Sequence, residues 1–358
     1  MNLAYGLDMQ KSFDEFFALQ KKMMRGMEVL MDVDDEGSDC TPKELVYEED
    51  KMKLYHYKPL TKNTCKVPTL IVYALVNRQY MMDIQQDKSV IKNLLEQGLD
   101  LYIIDWGYPA PEDRYLTMED YIEGYIHNTV DFICKANKVE KINIMGVCQG
   151  GTFSTIYSAL HPDKIKNLVT MVAPIDFDTE EGLLFKWGKN LNIDSMVDAY
   201  GVIPGDVMNA GFVILKPFQL MLDKYITVLD NLDDSKQMSD FFRMEKWIFD
   251  SPGQAGETIR QFVNDLYKEN KLVKGELMIG EKQVNLKNIN MPLLNIYAEY
   301  DHLVPPSASK PLNDHIGSSD KEMVSFPVGH IGMYVSSKSQ KEMAGKIAKW
   351  IMERSKKS

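Results

Sequence analysis

KINIMGVCQGGTFSTIYSAL, residues 141–160, is the stretch whose reading decides the fold. An apolar run (Ile142, Ile144, Met145) leads into Gly146-Val147-Cys148-Gln149-Gly150-Gly151, and a helical pattern follows. Strand, sharp turn and helix in that order are the setting of the G-x-S-x-G nucleophile turn, here with cysteine in place of serine. Gly146 and Gly150 are expected to let strand and helix approach closely around a strained turn, so that a β-branched residue at either would clash. Gly151 opens the helix with no side chain in the way.

Outward from this turn, apolar, β-rich runs recur at residues 69–75 (TLIVYAL), 101–106 (LYIIDW), 167–174 (NLVTMVAP), 292–298 (PLLNIYA) and 323–328 (MVSFPV), with helical patterns between them. Continuous apolar strands alternating with helices predict βαβ units and a mostly parallel sheet covered on both faces. KMKLYHYKP, residues 51–59, reads as an antiparallel edge strand. The rhythm breaks over 176–285, which is helical and rich in aromatics. An insertion at that point is a cap over the carboxyl ends of the strands, where open α/β sheets bind ligands. Residues 11–33 carry Phe13, Phe16, Phe17, Met23, Met24, Met27, Leu30 and Met31 at spacings of three and four, an amphipathic helix. Residues 32–44 read as an acidic linker. The expected division is an N-terminal helical segment and linker (1–45), an α/β-hydrolase core (46–175 and 286–358) and a cap (176–285).

Acyl transfer at a thiol needs a nucleophile, a base, a group that orients the base, and donors for the oxyanion. In the α/β-hydrolase order the nucleophile comes first, the acid second and the histidine last. After Cys148, the 292–298 run leads into Glu299-Tyr300-Asp301-His302, and the 323–328 run into Gly329-His330-Ile331-Gly332. Of the six histidines, only His330 occupies a Gly-flanked loop after the last strand, which makes it the candidate base against the alternative of a surface histidine. Asp301 is the candidate acid; as an Asp before VPPSASKPLNDH it also suits a helix N-cap, and the two roles are compatible. The oxyanion donors are expected to be the backbone N–H of Gln149 and one from Leu75-Val76-Asn77, of which Val76 is chosen. His302, beside Asp301, is placed at the rim of the site. A scaffold with a dead site and a serine-type esterase tolerant of cysteine are the competing readings of the set.

Composition narrows the function classes. The chain has 358 residues, 26% charged and 44% hydrophobic, with a net charge of −11. That acidity repels nucleic acid and anionic lipid, so a nucleic-acid role is not expected. The N-terminus lacks the pattern of a signal peptide, and no apolar run has the length of a membrane span, so a cytoplasmic protein is expected. The four cysteines (Cys40, Cys65, Cys134, Cys148) form no C-x-x-C pair and no zinc-ligand spacing, so neither a disulfide nor a structural metal is expected. Cys134, in an apolar helical run, reads as a small buried hydrophobe.

Taken together, PKELVYEEDKMKLYHY, LIVYALVNRQYMMDIQ, YIIDWGYP, GVCQGG, RMEKWIFDSP with QAGE after it, GEKQVNLKNI, YDHLVPP and GHIGMYVS resemble the polyhydroxyalkanoate synthases over nearly the whole chain. The resemblance is to the short catalytic subunit of the class III, two-subunit enzymes; a class IV subunit is the nearest alternative, and class I and II chains are much longer. It implies a 3-hydroxyacyl-coenzyme A substrate, short-chain 3-hydroxybutyryl-coenzyme A above all, and a growing polyester chain. Cys148 is then the acylated nucleophile, His330 its base, and Asp301 an acid acting with His330 or on the incoming hydroxyl. Coenzyme A is a product, and no cofactor is implied. His302 and Arg243 are candidates for substrate binding, with Lys246 and Arg260 as further cations for the coenzyme phosphates against their reading as solvated helix charges. The resemblance also implies a second synthase subunit, a homodimer or hetero-oligomer, and a cytoplasmic place at the surface of polyester granules. The apolar stripe of the N-terminal helix reads either as packing on the protein's own core or, as the candidate docking face, as Met-rich contact for another subunit. A thioesterase or esterase, and an inactive granule-associated scaffold, stand as alternative functions.

Overall fold

A computed structural model describes residues 39–215 and 234–356 of the chain. The amphipathic stretch at 11–33 lies outside the described residues. Among those described, eight strands form the central sheet: β1 (Lys43–Glu49), β2 (Met52–Tyr57), β3 (Thr69–Val72), β4 (Leu101–Asp105), β5 (Ile142–Val147), β6 (Ile165–Met171), β7 (Leu293–Ala298) and β8 (Lys321–Phe326). Their order across the sheet is β1-β2-β4-β3-β5-β6-β7-β8. Strands β3 to β8 run parallel; β2 is antiparallel to both β1 and β4.

The side-chain period of two divides the sheet's two cores. Leu70, Val72, Ile142 and Ile144 enter one, with Phe153 and Ile156. Ile71, Met145, Val147 and Met171 enter the other, with Ile347 and Ile351. Helices α1 (Val90–Glu96) and α9 (Ser337–Ser355) cover the second face, while α2 (His127–Asn137) and α3 (Gln149–Leu160) cover the first. Every residue of β5 is buried, which is why it reads as an unbroken apolar run.

Strand β2 corrects the sequence expectation: it is not the edge of the sheet, because β1 lies outside it. The sequence of β1, KELVYEE, is charged and only partly buried, so its first residues read as the end of the acidic linker. Charge on an outer strand is a common protection of an unpaired edge.

Between β6 and β7 the chain builds α4 (Leu183–Asn190), α5 (Ile193–Tyr200), α6 (Gly205–Leu215), α7 (Ser235–Phe249) and α8 (Gly256–Gln261), followed by a π-helix at Phe262–Lys268. Ile193, Val197, Ile203, Ile259 and Val263 give this region a small core of its own. It is also rooted in the main cores, through Phe177, Phe185 and Phe262 on one face and Trp247 on the other. A second π-helix, Asp120–Ile126, precedes α2. The two π-helices send Tyr121 and Phe262 to the same ring, Phe153 of α3, at centroid separations of 6.3 and 6.0 Å. No helix among the described residues is long and apolar enough to cross a membrane.

Candidate active site

The turn between β5 and α3 puts Cys148 at φ 54° and ψ −126°, a backbone conformation L-residues rarely adopt. Its surroundings fix it. The Cys148 N–H donates to the Met171 carbonyl at 2.9 Å, and its own carbonyl accepts from Gly151 N–H at 2.8 Å. The two glycines flanking the turn leave no room: a Cβ on Gly150 would stand 2.2 Å from the Val72 carbonyl oxygen, and one on Gly146 2.5 Å from the Gly151 Cα. At Gly151 a Cβ would press on the Ala173 methyl at 2.4 Å.

Beyond the ends of β7 and β8, Asp301 and His330 meet. The His330 Nδ1 and Asp301 Oδ2 are 2.7 Å apart and both side chains are buried. A carboxylate can only accept, so Nδ1 carries the proton and Nε2 is left for another partner. The Cys148 sulfur lies near enough to act on the His330 ring electrostatically. Burial pulls the imidazole pKa down, but the Asp301 carboxylate and then the Cys148 sulfur outweigh it and raise it well above the ordinary value. Asp301 is itself braced: its Oδ1 accepts from the Leu303 and Val304 N–H groups, each at 2.9 Å. It therefore holds a tight turn, while the short helix Pro306–Ser309 takes Pro305 as its N-cap. An imidazole held by a carboxylate near a thiol is an arrangement that can take the proton from sulfur and keep the resulting imidazolium in place.

Residues 70–337 match the family description of the alpha/beta hydrolase fold, and residues 25–94 that of the poly-beta-hydroxybutyrate polymerase (PhaC) N-terminus. The chain is 52% identical to the poly(3-hydroxyalkanoate) polymerase subunit PhaC of Synechocystis sp., across 97% of this chain and 94% of that one. It is also 52% identical to the PhaC subunit of Thiocystis violacea, across 96% of this chain and 98% of the relative. The chain belongs to the poly(3-hydroxyalkanoate) polymerase family. Its α/β-hydrolase fold is shared with solved structures of distant sequence: a monoacylglycerol lipase of Paleococcus ferrophilus (15% identity, TM-score 0.53, 84% of this chain and 99% of that one) and a putative lipase of Sulfolobus solfataricus (16%, 0.56, 87% and 93%).

The remaining residues singled out from the sequence of this polymerase-family chain fall around Cys148 to different degrees. Gln149 is the first residue of α3, and no hydrogen bond among the described residues uses its N–H. In the loop after β3, the Leu75 N–H is taken by the Gln149 side-chain Oε1 at 3.1 Å. That leaves the Val76 and Asn77 N–H groups without a partner among the described residues. His302 lines a cavity of about 310 Å³ with Glu181, Leu183, Tyr300 and Asp301, between the start of α4 and the turn after β7. Arg243 lies on α7, its Nε buried without a hydrogen bond among the described residues, and no described contact joins it to Cys148, Asp301 or His330. Arg260 is engaged by Asp194 at 2.9 Å, Asp198 at 2.7 Å and Glu257 at 3.2 Å, so its charge is already answered.

Sequence reasoning missed three tyrosines. Burial raises the hydroxyl pKa of Tyr73, Tyr267 and Tyr334, and the nearby Cys148 sulfur raises it further, which keeps all three neutral at the sulfur's edge. Tyr334 also meets His330 edge-on at 6.2 Å and Tyr73 at 6.3 Å. Tyr73 sits in an apolar strand and Tyr267 in a mixed helical stretch, where a tyrosine reads as core, and no local signal separates them.

Cys134 is buried and its thiol donates to the Glu140 carbonyl at 3.6 Å. Burial raises its pKa.

Proposed function

We propose that this chain polymerises 3-hydroxyacyl-coenzyme A, with 3-hydroxybutyryl units preferred, through a thioester on Cys148. What supports the reading is the buried His330–Asp301 pair near Cys148 at a strained strand–helix turn, in a chain whose relatives are named poly(3-hydroxyalkanoate) polymerase subunits. The Cys148 thiolate attacks the substrate carbonyl, and the tetrahedral oxyanion is received by the Gln149 and Val76 N–H groups. The carbon–sulfur bond to coenzyme A breaks, and the leaving thiolate takes the proton held by His330. In the second half, His330 takes the proton of a 3-hydroxyl, that oxygen attacks the Cys148 thioester, and an oxoester forms as Cys148 departs as thiolate.

Exchange of one thioester for another is close to isoenergetic, so the acyl group on sulfur stays activated, and the step to an oxoester runs downhill. A serine at the turn would surrender that activation at the first transfer. Water at roughly 55 M competes with the hydroxyl, so the hydroxyl needs an effective molarity above that figure and the site needs to be dry. The helices of residues 176–285 serve as the cap that excludes it, and His302 at the cavity contributes to substrate binding. The word subunit in the relatives' names supports a second synthase subunit as partner. We place the assembly in the cytoplasm at polyester granules, in the class III group.

The test is incubation with 3-hydroxybutyryl-coenzyme A, with and without a candidate second subunit, following thiol release and polymer. Thiol release with insoluble polyester, both lost in Cys148→Ala, is the expected result. Free hydroxy acid as the only product overturns the polymerase reading in favour of a thioesterase. Equal alkylation of all four cysteines, unaffected by His330→Gln, favours the inactive scaffold.

A further inference from the structure

We propose that the cap holds the loop bearing the Val76 N–H in its working shape, so that Gln254, Ser251 and Trp247 are positioning residues for the oxyanion donor. This rests on the reading of Val76 given above.

Residues 73–78 follow β3 and precede a short 3₁₀ turn at Gln79–Met82, and the loop has no regular structure of its own. Its polar groups are held from far away in sequence. The Leu75 carbonyl accepts from Gln254 Nε2 at 3.0 Å, and the Arg78 carbonyl accepts from Trp247 Nε1 at 2.7 Å. Asn77 stands at φ 62°, in the left-handed region, and its Nδ2 donates to the Ser251 hydroxyl at 2.6 Å. Ser251 in turn donates to Asn209 Oδ1 at 3.0 Å, and Asn209 Nδ2 donates to the Ile248 carbonyl at 2.8 Å, tying α6 to the end of α7. Just past the loop, the Tyr80 hydroxyl donates to Asp250 Oδ2 at 2.9 Å.

Three residues within one eight-residue piece of the cap, Trp247, Ser251 and Gln254, therefore grip the loop on both sides of Val76, and Asp250 in the same piece holds the turn that follows it. Gln254 and Trp247 are buried, so water cannot take their place. A left-handed non-glycine residue persists only where its surroundings over-determine it, and Asn77 is so determined by a cap contact. An oxyanion donor works by being in place before charge develops. Seating the cap thus assembles the electrostatic half of the site, and displacing the cap dissolves it while leaving Cys148 and His330 paired.

Three variants of the full chain with its second subunit test this: Gln254→Leu, Ser251→Ala and Asn77→Gly, the last keeping the left-handed backbone while removing the amide. Two rates are measured, coenzyme A release from 3-hydroxybutyryl-coenzyme A and alkylation of Cys148 by iodoacetamide, a displacement with no oxyanion. The expected result is a kcat for release lowered about 10- to 100-fold, with KM within about twofold and alkylation unchanged. Release within about twofold of the parent in all three variants overturns the inference. So does alkylation falling in step with release, because the damage then lies in the Cys148–His330 pair or the fold. Release that survives Cys148→Ala overturns the thioester reading itself, and this inference with it.

Discussion

The two walls that meet at Cys148 are built from different materials. On one side, β5, α3 and the start of the loop after β6 approach through backbone and glycine, with a Cβ at Gly151 pressing on the Ala173 methyl at 2.4 Å and one at Gly146 on the Gly151 Cα at 2.5 Å. On the other, the loop after β3 is held by side-chain hydrogen bonds with residues 174 and 179 positions away in sequence, Asn77 to Ser251 and Gln254 to Leu75. A backbone wall tolerates no change and does not move. A side-chain wall depends on the packed unit that supplies its hydrogen-bond partners.

The comparison breaks most severely at Gly150. Gly150→Val sets a branched side chain against two main-chain carbonyls, Val72 and Tyr73, and is expected to destabilise the chain by more than about 4 kcal/mol and leave it insoluble. A variant that melts within a few degrees of the parent removes the rigid wall from the account.

Next in size is the pH dependence of the buried pair. The folded state holds the His330 proton more tightly than the unfolded chain does, because Asp301 and the sulfur outweigh burial. Its contribution to stability is thus fully present below the unfolded imidazole value of about 6.5 and is lost as pH rises through the higher folded value. The melting-temperature gap between the parent and His330→Gln is expected to be widest near pH 6 and to narrow in alkali. Calorimetry showing a gap that widens with pH reverses the sign of the coupling.

Smallest is Arg260→Ala on α8. Its ion pairs with Asp194, Asp198 and Glu257 are largely solvated, so about 0–1 kcal/mol of stability is expected to go, with KM for the acyl-coenzyme A unchanged. A several-fold rise in KM would return Arg260 to the phosphate contacts.

The same division governs what the sequence reveals. Five of the six parallel strands are legible because burial on both faces writes them as continuous apolar runs, while β8, at the outer edge, is largely exposed and legible only through its apolar end; the Cys148 turn is legible because close backbone approach demands glycines at fixed spacing. Asp301 and His330 stand out because each follows a strand, in chain order after the cysteine. Strand β1 is hidden by its own charges. The clamp on the Val76 loop is hidden for another reason: Trp247, Ser251 and Gln254 are ordinary residue types whose partners lie some 170 positions upstream, and no local period reports such pairs.

Phe153 closes the account of the turn. Rings from two widened helices pinch it from either side, Tyr121 at 6.3 Å and Phe262 at 6.0 Å. Advancing α3 by a single residue would swing that ring away by about 100°, out of both contacts. The two contacts therefore key the rotation of α3 about its axis, and with it the start of the helix next to the contorted residue 148.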